Sequence, residues 1–368
     1  MTGTSLHVLH TESSPSLGGQ ELRIVLEMEA LAARGINSVL AARPGTPIVA
    51  EARQRGLTTY EVPLRFNLDP ASMWQLGRIM RRHRIDVLNA HNSKDGWCAA
   101  PVARLLGVPV IRARHIANPI RDCRSSKLIY GPLCDAVMTT GEGIKAGLVR
   151  RGIPARKIVS VPTGIRMESF IAARPGSLRQ DLGIPPEVPL VGQVAVLRGD
   201  RGPDIFARAA QIAIEQGSDA WFVLVGDGPA RTKVERVLAE GGHGDRIKLA
   251  GFRRDIPQVL ADLRLFVLAS TISEGVAQGV LQAHSASVPV IATHQTGLDE
   301  VAIADQTARC VPSRDPQALA EAILDLLARP EEALRLATAG HALVRDGYTL
   351  EHMLDKMEAL YRGLVEPA

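Results

Sequence analysis

Glu274-Gly-Val-Ala-Gln-Gly-Val-Leu-Gln282 decides how this chain reads. The apolar run Leu265-Phe-Val-Leu-Ala269 leads into it as a buried strand, and the pattern after it predicts a helix. A carboxylate at 274 and a carboxamide at 282 therefore stand at the carboxyl end of a strand and along the next helix. Their separation of eight residues is a little over two helical turns, so both side chains fall on roughly one face. Between them lies a helix N-terminus, which attracts anions through unpaired N–H groups and the macrodipole. An anion seat with polar groups on either side suits a nucleotide-sugar diphosphate. Any polar strand-to-helix turn can produce this pattern, so its weight comes from its surroundings.

The same grammar runs outward from it. In the second half, strands are expected at Leu190–Val196, Trp221–Val225, Ile247–Ala250, Pro289–Ala292 and Ala308–Val311. In the first half they are expected at Leu6–Leu9, Ser38–Ala42, Thr58–Val62, Asp86–Ala90, Pro109–Ala113, Ala136–Thr140 and Lys157–Val161. Helical periodicity fills the gaps, as in Gln20–Ala33, Met73–Arg82 and Gly96–Leu106, and closes the chain in Pro316–Ala328, Pro330–Arg345 and Leu350–Leu364. Strands alternating with helices imply a parallel sheet covered on both faces. Pro162-Thr-Gly164 interrupts the pattern, which places a domain boundary near Ile165 and a polar linker running on toward Gly176. The expected fold is α/β: two doubly wound, Rossmann-like parallel-sheet domains, residues 1–165 and 166–348.

Composition bounds the function. The 368 residues are too many for one ordinary doubly wound domain and enough for two, and 46% apolar content can fill two cores. Aromatic content of 4% argues against a stacking platform for single-stranded nucleic acid, and a net charge of +4 is too small to mark a nucleic-acid binder. Cys98, Cys123, Cys134 and Cys310 show neither a C-x-x-C pair nor zinc-finger spacing, so they read as thiols in a reducing compartment. No uncharged apolar run approaches the ~18 residues of a spanning helix, and the first residues lack a leader pattern. A cytoplasmic protein is expected, with peripheral attachment to the inner face of the membrane open. Basic residues cluster at Arg78, Arg81, Arg82 and Arg84 and again at Arg121, Arg124 and Lys127. Such patches dock on anionic lipid or are simply solvated helix faces, and the sequence leaves both standing.

Several strand ends carry candidate chemistry. Gly18-Gly19-Gln20-Glu21 opens the first helix, where glycines allow close approach of a ligand or merely make a turn. His91 and His115 follow neighbouring predicted strands, each able to bind a hydroxyl or phosphate, and each equally able to be a structural histidine. No third ligand has suitable spacing for a metal site. Arg198 and Arg201, in Leu197-Arg-Gly-Asp-Arg-Gly-Pro203, flank glycines before a helix, where guanidinium groups can chelate phosphate. Gly226 and Gly228, in Val225-Gly-Asp-Gly-Pro229, and Phe252 with Arg253 fit a nucleotide pocket or plain strand-to-helix turns.

Taken in order, these residues resemble a retaining glycosyltransferase of the GT-B fold in family 4 (glycosyltransferase group 1), over nearly the whole chain. Gly18-Gly19-Gln20-Glu21 is similar to that family's N-terminal glycine loop, Val161-Pro-Thr-Gly-Ile165 to its V-P-N-G-[VI], Val225–Pro229 to its G-[DE]-G-P, and Glu274 onward to its E-x7-E region. The resemblance implies two Rossmann-like domains facing a central cleft, with the final helix, 349–368, crossing back to the N-terminal domain. It implies an acceptor role for the first domain and a donor role for the second. By position, Glu274 matches the first Glu, on donor-sugar hydroxyls, and Gln282 the second, on the ribose. Gly275, Val276, Ala277, Gln278 and Gly279 match the backbone approaching sugar and diphosphate. Arg198 and Arg201 match the diphosphate cations, His115 the histidine near the reacting centre, and Gly19 the phosphate loop. Position 282 is Gln rather than Glu, and 201 is Arg where Lys is usual. The glutamine variant is similar to bacterial enzymes of surface-polysaccharide and lipopolysaccharide assembly.

The activity this resemblance implies is transfer from a nucleoside-diphosphate sugar, a UDP-sugar foremost, to a hydroxyl of a saccharide or lipid-linked saccharide. No cofactor and no metal are expected. A nucleotide-sugar epimerase and a non-catalytic nucleotide-sugar-binding protein are the alternatives.

Overall fold

The computed structural model describes residues 5–115, 120, 123–272, 275–295 and 297–365. The chain divides into two compact units, Met1–Thr163 with Glu351–Ala368, and Gly164–Leu350. Each is built on one wholly parallel sheet.

Unit one contains β1 (Leu6–Glu12), β2 (Ile36–Ala42), β3 (Thr58–Glu61), β4 (Val87–Ala90), β5 (Val110–Arg114), β6 (Ala136–Thr139) and β7 (Ile158–Ser160). Their spatial order is β3-β2-β1-β4-β5-β6-β7. The order reverses direction between β1 and β4, which pair from Val8↔Val87 to Thr11↔Ala90. Ligands of open α/β sheets bind at such a switch point, beyond the carboxyl ends of the strands. β1 outruns the apolar run that predicted it. It continues through His10, Thr11 and Glu12, all fully buried, because neighbouring elements supply polar partners there.

Unit two contains β8 (Leu190–Val194), β9 (Trp221–Val225), β10 (Ile247–Gly251), β11 (Leu265–Leu268), β12 (Val290–Thr293) and β13 (Ala308–Val311), ordered β10-β9-β8-β11-β12-β13. The switch point lies between β8 and β11. Leu190, Val191, Phe222, Val223, Leu224, Leu265, Phe266 and Val267 are all completely buried. Such continuous apolar runs are what a sheet covered on both faces requires.

The expected strands all form, Trp221–Val225 and Ala308–Val311 with the expected ends and the others with an end moved by up to three residues. The stretch after Ile165 differs from a bare polar linker. It forms two short helices, Met167–Ile171 and Ser177–Leu182, whose Met167, Phe170 and Leu178 join the core of unit two. Asp262 clamps the second helix start, accepting from Gly176 N (2.6 Å) and Leu178 N (3.0 Å). Side chains fix the C-terminal helix Leu350–Val365 within unit one: Arg34 donates to Asp355, and Tyr361 is fully buried.

Candidate functional site

In unit two the loops after β8, β9, β10 and β11 are stitched into one rim by backbone hydrogen bonds. Leu197 N donates to Asp227 O (3.0 Å), Ala230 N to Leu197 O (2.8 Å), Gly226 N to Gly251 O (2.8 Å) and Thr271 N to Asp200 O (2.9 Å). Gly226 and Gly228 adopt φ of +134° and +154°, and a Cβ on either would run into the carbonyl of Ala195 or Leu197. Loop-on-loop packing therefore demands these glycines whether or not a ligand approaches them.

Arg198 and Arg201 stand on this rim around the short turn Gly199–Arg201, ahead of the helix Pro203–Glu215. Arg198 is half-exposed and chelated by Asp200, at 3.2 and 3.1 Å. Arg201 is more enclosed: burial works against its charge, and its carbonyl accepts from Gln193 Nε2 (2.8 Å). A guanidinium does not shed its proton in a protein. An enclosed guanidinium at a helix start is a positive charge that an anionic ligand can meet.

Phe252, just beyond β10, is 72% exposed, an aromatic face offered at the rim. Arg253 has a different duty from the one its sequence suggests. Its guanidinium donates to Asp255 (2.8 and 2.5 Å) and to Asp181 (2.5 Å), tying the helix Ser177–Leu182 to the loop after β10. That guanidinium holds the Asp255 carboxyl down at about 2. Gly275, Val276 and Ala277 form the turn before the helix Gln278–Ser285, which carries Gln278, Gly279 and Gln282. A Cβ on Gly279 would stand 3.3 Å from the Phe266 ring and 3.5 Å from Val194 O, so this helix start lies tight against the end of β8. Glu274 lies outside the described residues, as does Arg121.

In unit one Gly19 opens the helix Gly19–Ala32, but Glu21 fills the seat there: Gly18 N donates to Glu21 Oε2 (2.7 Å). Two buried carboxyls that the sequence did not single out lie beside it. Asp95 accepts from Thr11 Oγ1 (2.8 Å), Ser13 Oγ (2.9 Å), His91 N and Asn92 N (3.1 Å each). Glu12 accepts from Ser14 N (2.7 Å), Gln20 Nε2 (2.6 Å) and Asn92 Nδ2. Burial raises both pKa values, and for Glu12 the Asp95 carboxylate adds to it. The only sequence signal was the polar His-Thr-Glu tail of a strand, with no spacing to link it to residues about 80 positions away.

His91 and His115 do meet, and β1 brings a third histidine to them. His10 Nδ1 lies 3.0 Å from His91 Nε2, and His91 Nδ1 lies 3.0 Å from His115 Nε2. The rings form a line across the ends of β1, β4 and β5 rather than converging on a point. Among the described residues no group of three metal-ligating side chains could hold an ion. Burial lowers all three pKa values, to about 3 for His10.

This burial makes stability depend on pH. Below about 6.5 the unfolded chain protonates these imidazoles while the folded chain does not. Their contribution is full above that pH and is lost as pH falls toward about 3, the folded value of His10. Glu12 and Asp95 act oppositely, since raised carboxyl pKa values favour the folded chain at low pH. Comparing wild type with His10→Asn isolates the histidine contribution. Between about pH 6 and 4 the denaturation free energy of the variant should fall less steeply, by up to about 1.4 kcal/mol per pH unit. Parallel curves would show that His10 is protonated in the folded protein.

Residues 17–169 match the family described as Glycosyltransferase Family 4, and residues 186–329 match Glycosyl transferases group 1. The chain is 27% identical over 316 residues to the UDP-Gal:alpha-D-GlcNAc-diphosphoundecaprenol alpha-1,3-galactosyltransferase of Escherichia coli, covering 80% of this chain and 81% of that one. It is 29% identical over 319 residues to the alpha-D-kanosaminyltransferase of Streptomyces kanamyceticus, covering 79% and 81%. Among solved structures, a glycosyltransferase from Rickettsia africae superposes with a TM-score of 0.89 at 17% identity, covering 99% of this chain and all of that one. Anabaena Alr3699/HepE in complex with UDP superposes at 0.85, also at 17% identity, covering 97% and 100%. At such identity these two likenesses speak for the fold, which is GT-B.

Proposed function

The chain belongs to the group 1, family 4 glycosyltransferases, and on that premise we propose that it moves a sugar from a UDP-sugar to a hydroxyl of a lipid-linked or polysaccharide acceptor, with retention at the anomeric carbon. The observation that carries the reading is the enclosed Arg201 beside Arg198 at the carboxyl end of β8, on the same rim as the exposed ring of Phe252. Donor diphosphate would sit against these guanidinium groups and the helix start at Pro203, with the base on Phe252. The sugar would face the turn Gly275–Ala277 and Glu274, and the ribose Gln282. The UDP-Gal named for the Escherichia coli relative, and its diphosphoundecaprenol acceptor, support this choice of donor and acceptor.

Charge that develops on the leaving diphosphate is met by fixed cations and helix N–H groups, an electrostatic route to a faster reaction. Its oxygen can take the acceptor hydroxyl's proton, so no carboxylate base is assigned. In this reading the reaction runs without a metal ion or cofactor. By its match to the family's histidine near the reacting centre, His115 is read as a substrate-facing group of unit one. Thermal shifts with UDP, GDP, ADP and CMP test the donor class, because a ligand bound only by the folded chain raises the midpoint. Selective stabilisation by UDP is expected; stabilisation by another nucleotide alone would replace the donor, and none at all would overturn the pocket. Glu274→Ala should abolish sugar transfer, and near-normal turnover would remove Glu274 from the site. Epimerised donor formed without acceptor would make the protein an epimerase.

The reading includes a membrane-facing patch in unit one. The loop after β3 and the helix Pro70–Arg82 expose Phe66, Leu68 and Trp74, the last 63% exposed with Arg78 stacked 4.7 Å above its ring. Arg81 and Arg82, at the end of that helix, and Arg84, just after it, are exposed too. Aromatic and aliphatic side chains among arginines match the boundary of an anionic bilayer. No helix among the described residues is long and apolar enough to cross a membrane. Co-sedimentation with vesicles containing phosphatidylglycerol should drop about tenfold in a Trp74→Ala, Arg81→Glu, Arg82→Glu triple variant. Equal sedimentation would leave the patch without that role.

A further inference from the structure

His10 and His91 are both buried, and neither has a part in the proposed transfer reaction. Each neutral imidazole has one N–H and one bare nitrogen, so in a line of three the direction of one hydrogen bond fixes the others. The outer nitrogen of the line, His10 Nε2, is buried without a hydrogen-bond partner among the described residues. The Tyr361 ring meets His10 at 89°, but its centroid is 6.5 Å away, too far for an N–H to reach into its face. If the bonds ran from His115 inward, His10 Nε2 would carry a buried N–H with no acceptor among the described residues, left to bear the full cost of desolvation. If they run from His10 outward, that nitrogen holds only a lone pair, the cheaper group to leave bare. The buried Arg23 adds positive charge near His91 and His115, which keeps a proton from being added to the line.

We propose that His10 and His91 are positioning residues that lock His115 in its Nδ1–H tautomer, so that His115 presents a neutral hydrogen-bond donor, and not an acceptor, to the substrate. His10 Nδ1–H donates to His91 Nε2, and His91 Nδ1–H donates to His115 Nε2. With its Nε2 lone pair occupied and its Nδ1 protonated, His115 has no lone pair with which to act as a base. It can donate to a sugar hydroxyl or to a phosphate oxygen. The inference rests on the reading of His115 as a substrate-facing residue only for its consequence; the tautomer itself belongs to the protein without ligand.

The test is a two-bond proton–nitrogen correlation spectrum of the full chain labelled with 15N-histidine, at neutral pH, with rings assigned by single substitutions. His115 should show a protonated Nδ1 and a bare Nε2. His10→Asn places an amide N–H near the position of the lost Nδ1–H and should keep that pattern, with kcat within about threefold of wild type. His91→Leu removes the group that donates to His115 Nε2 and should produce mixed tautomers at His115 and a larger fall in kcat than in KM. An Nε2–H tautomer in the wild type overturns the proposal, and so does an unchanged His115 pattern in His91→Leu. Should His115→Ala turn over normally, the catalytic reading of His115 falls while the tautomer assignment stands on its own spectrum.

Discussion

Replacing Arg201 with alanine is expected to lower kcat by roughly a hundred- to a thousandfold and to erase the thermal shift caused by UDP. The size follows from where the residue sits. Arg198 is exposed, so water screens what it offers a ligand. Arg201 is enclosed and its backbone is pinned at both ends, by Gln193 Nε2 on its carbonyl and by its own N–H donating to Arg198 O (3.0 Å). A cation fixed in advance and shielded from water stabilises developing charge without reorganising. Arg198→Ala should therefore cost less, about tenfold. Arg201→Lys keeps the charge and loses the planar fork, so it should recover part of the activity. Thermal shifts and initial rates measured on the same preparations decide the matter. Turnover of Arg201→Ala within twofold of wild type would take the diphosphate away from this rim.

The sheets were legible because their strands are buried on both faces, which leaves runs such as Trp221–Val225 and Leu265–Leu268 almost without polar interruption. The spatial order of the strands, and with it the switch points, is not contained in those runs. The helices at Met167–Ile171 and Ser177–Leu182 were not legible, because each offers only one or two apolar contacts and periodicity needs more turns than that. The site divides along the same line. The positions of Arg198, Arg201 and Phe252 on the rim were readable because they follow strands directly. Val225-Gly-Asp-Gly-Pro229 was readable as a motif, yet its glycines answer to carbonyls of the neighbouring loop, a constraint that no local pattern contains. The ion pair of Arg253 with Asp181 was not readable, because the sequence does not say that Asp181 lies beside it. The histidine line and the Glu12–Asp95 cluster depend on contacts 81 to 84 residues apart, which only the strand order creates.

Glu27→Ala is expected to destabilise unit one by about 3–5 kcal/mol, the usual cost of removing one partner from a buried charged pair. Arg23 and Glu27, one turn apart on the helix Gly19–Ala32, are both completely buried or nearly so, with Nε and Oε2 3.9 Å apart. That separation is too long for a good hydrogen bond, and the pair draws its remaining partners from elsewhere. Tyr361 on the C-terminal helix donates to Glu27 Oε1 (2.6 Å) and accepts from Asn89 Nδ2 (2.9 Å), while Arg23 donates to Thr163 Oγ1 (3.3 Å). Burial raises the pKa of Glu27 and lowers that of Arg23, so each charge depends on the other. Alanine at 27 would strand the Arg23 charge and the Tyr361 hydroxyl together. Amide exchange along Leu350–Val365 should then rise ahead of the sheet, because Tyr361 is that helix's buried anchor. Removing both charges in Arg23→Met, Glu27→Leu should recover most of the loss, since a well-packed apolar pair avoids the desolvation cost. Urea denaturation of the two variants distinguishes the causes. A loss below about 1 kcal/mol for Glu27→Ala would mean that Glu27 is held as the neutral acid, bound to Tyr361 and indifferent to Arg23.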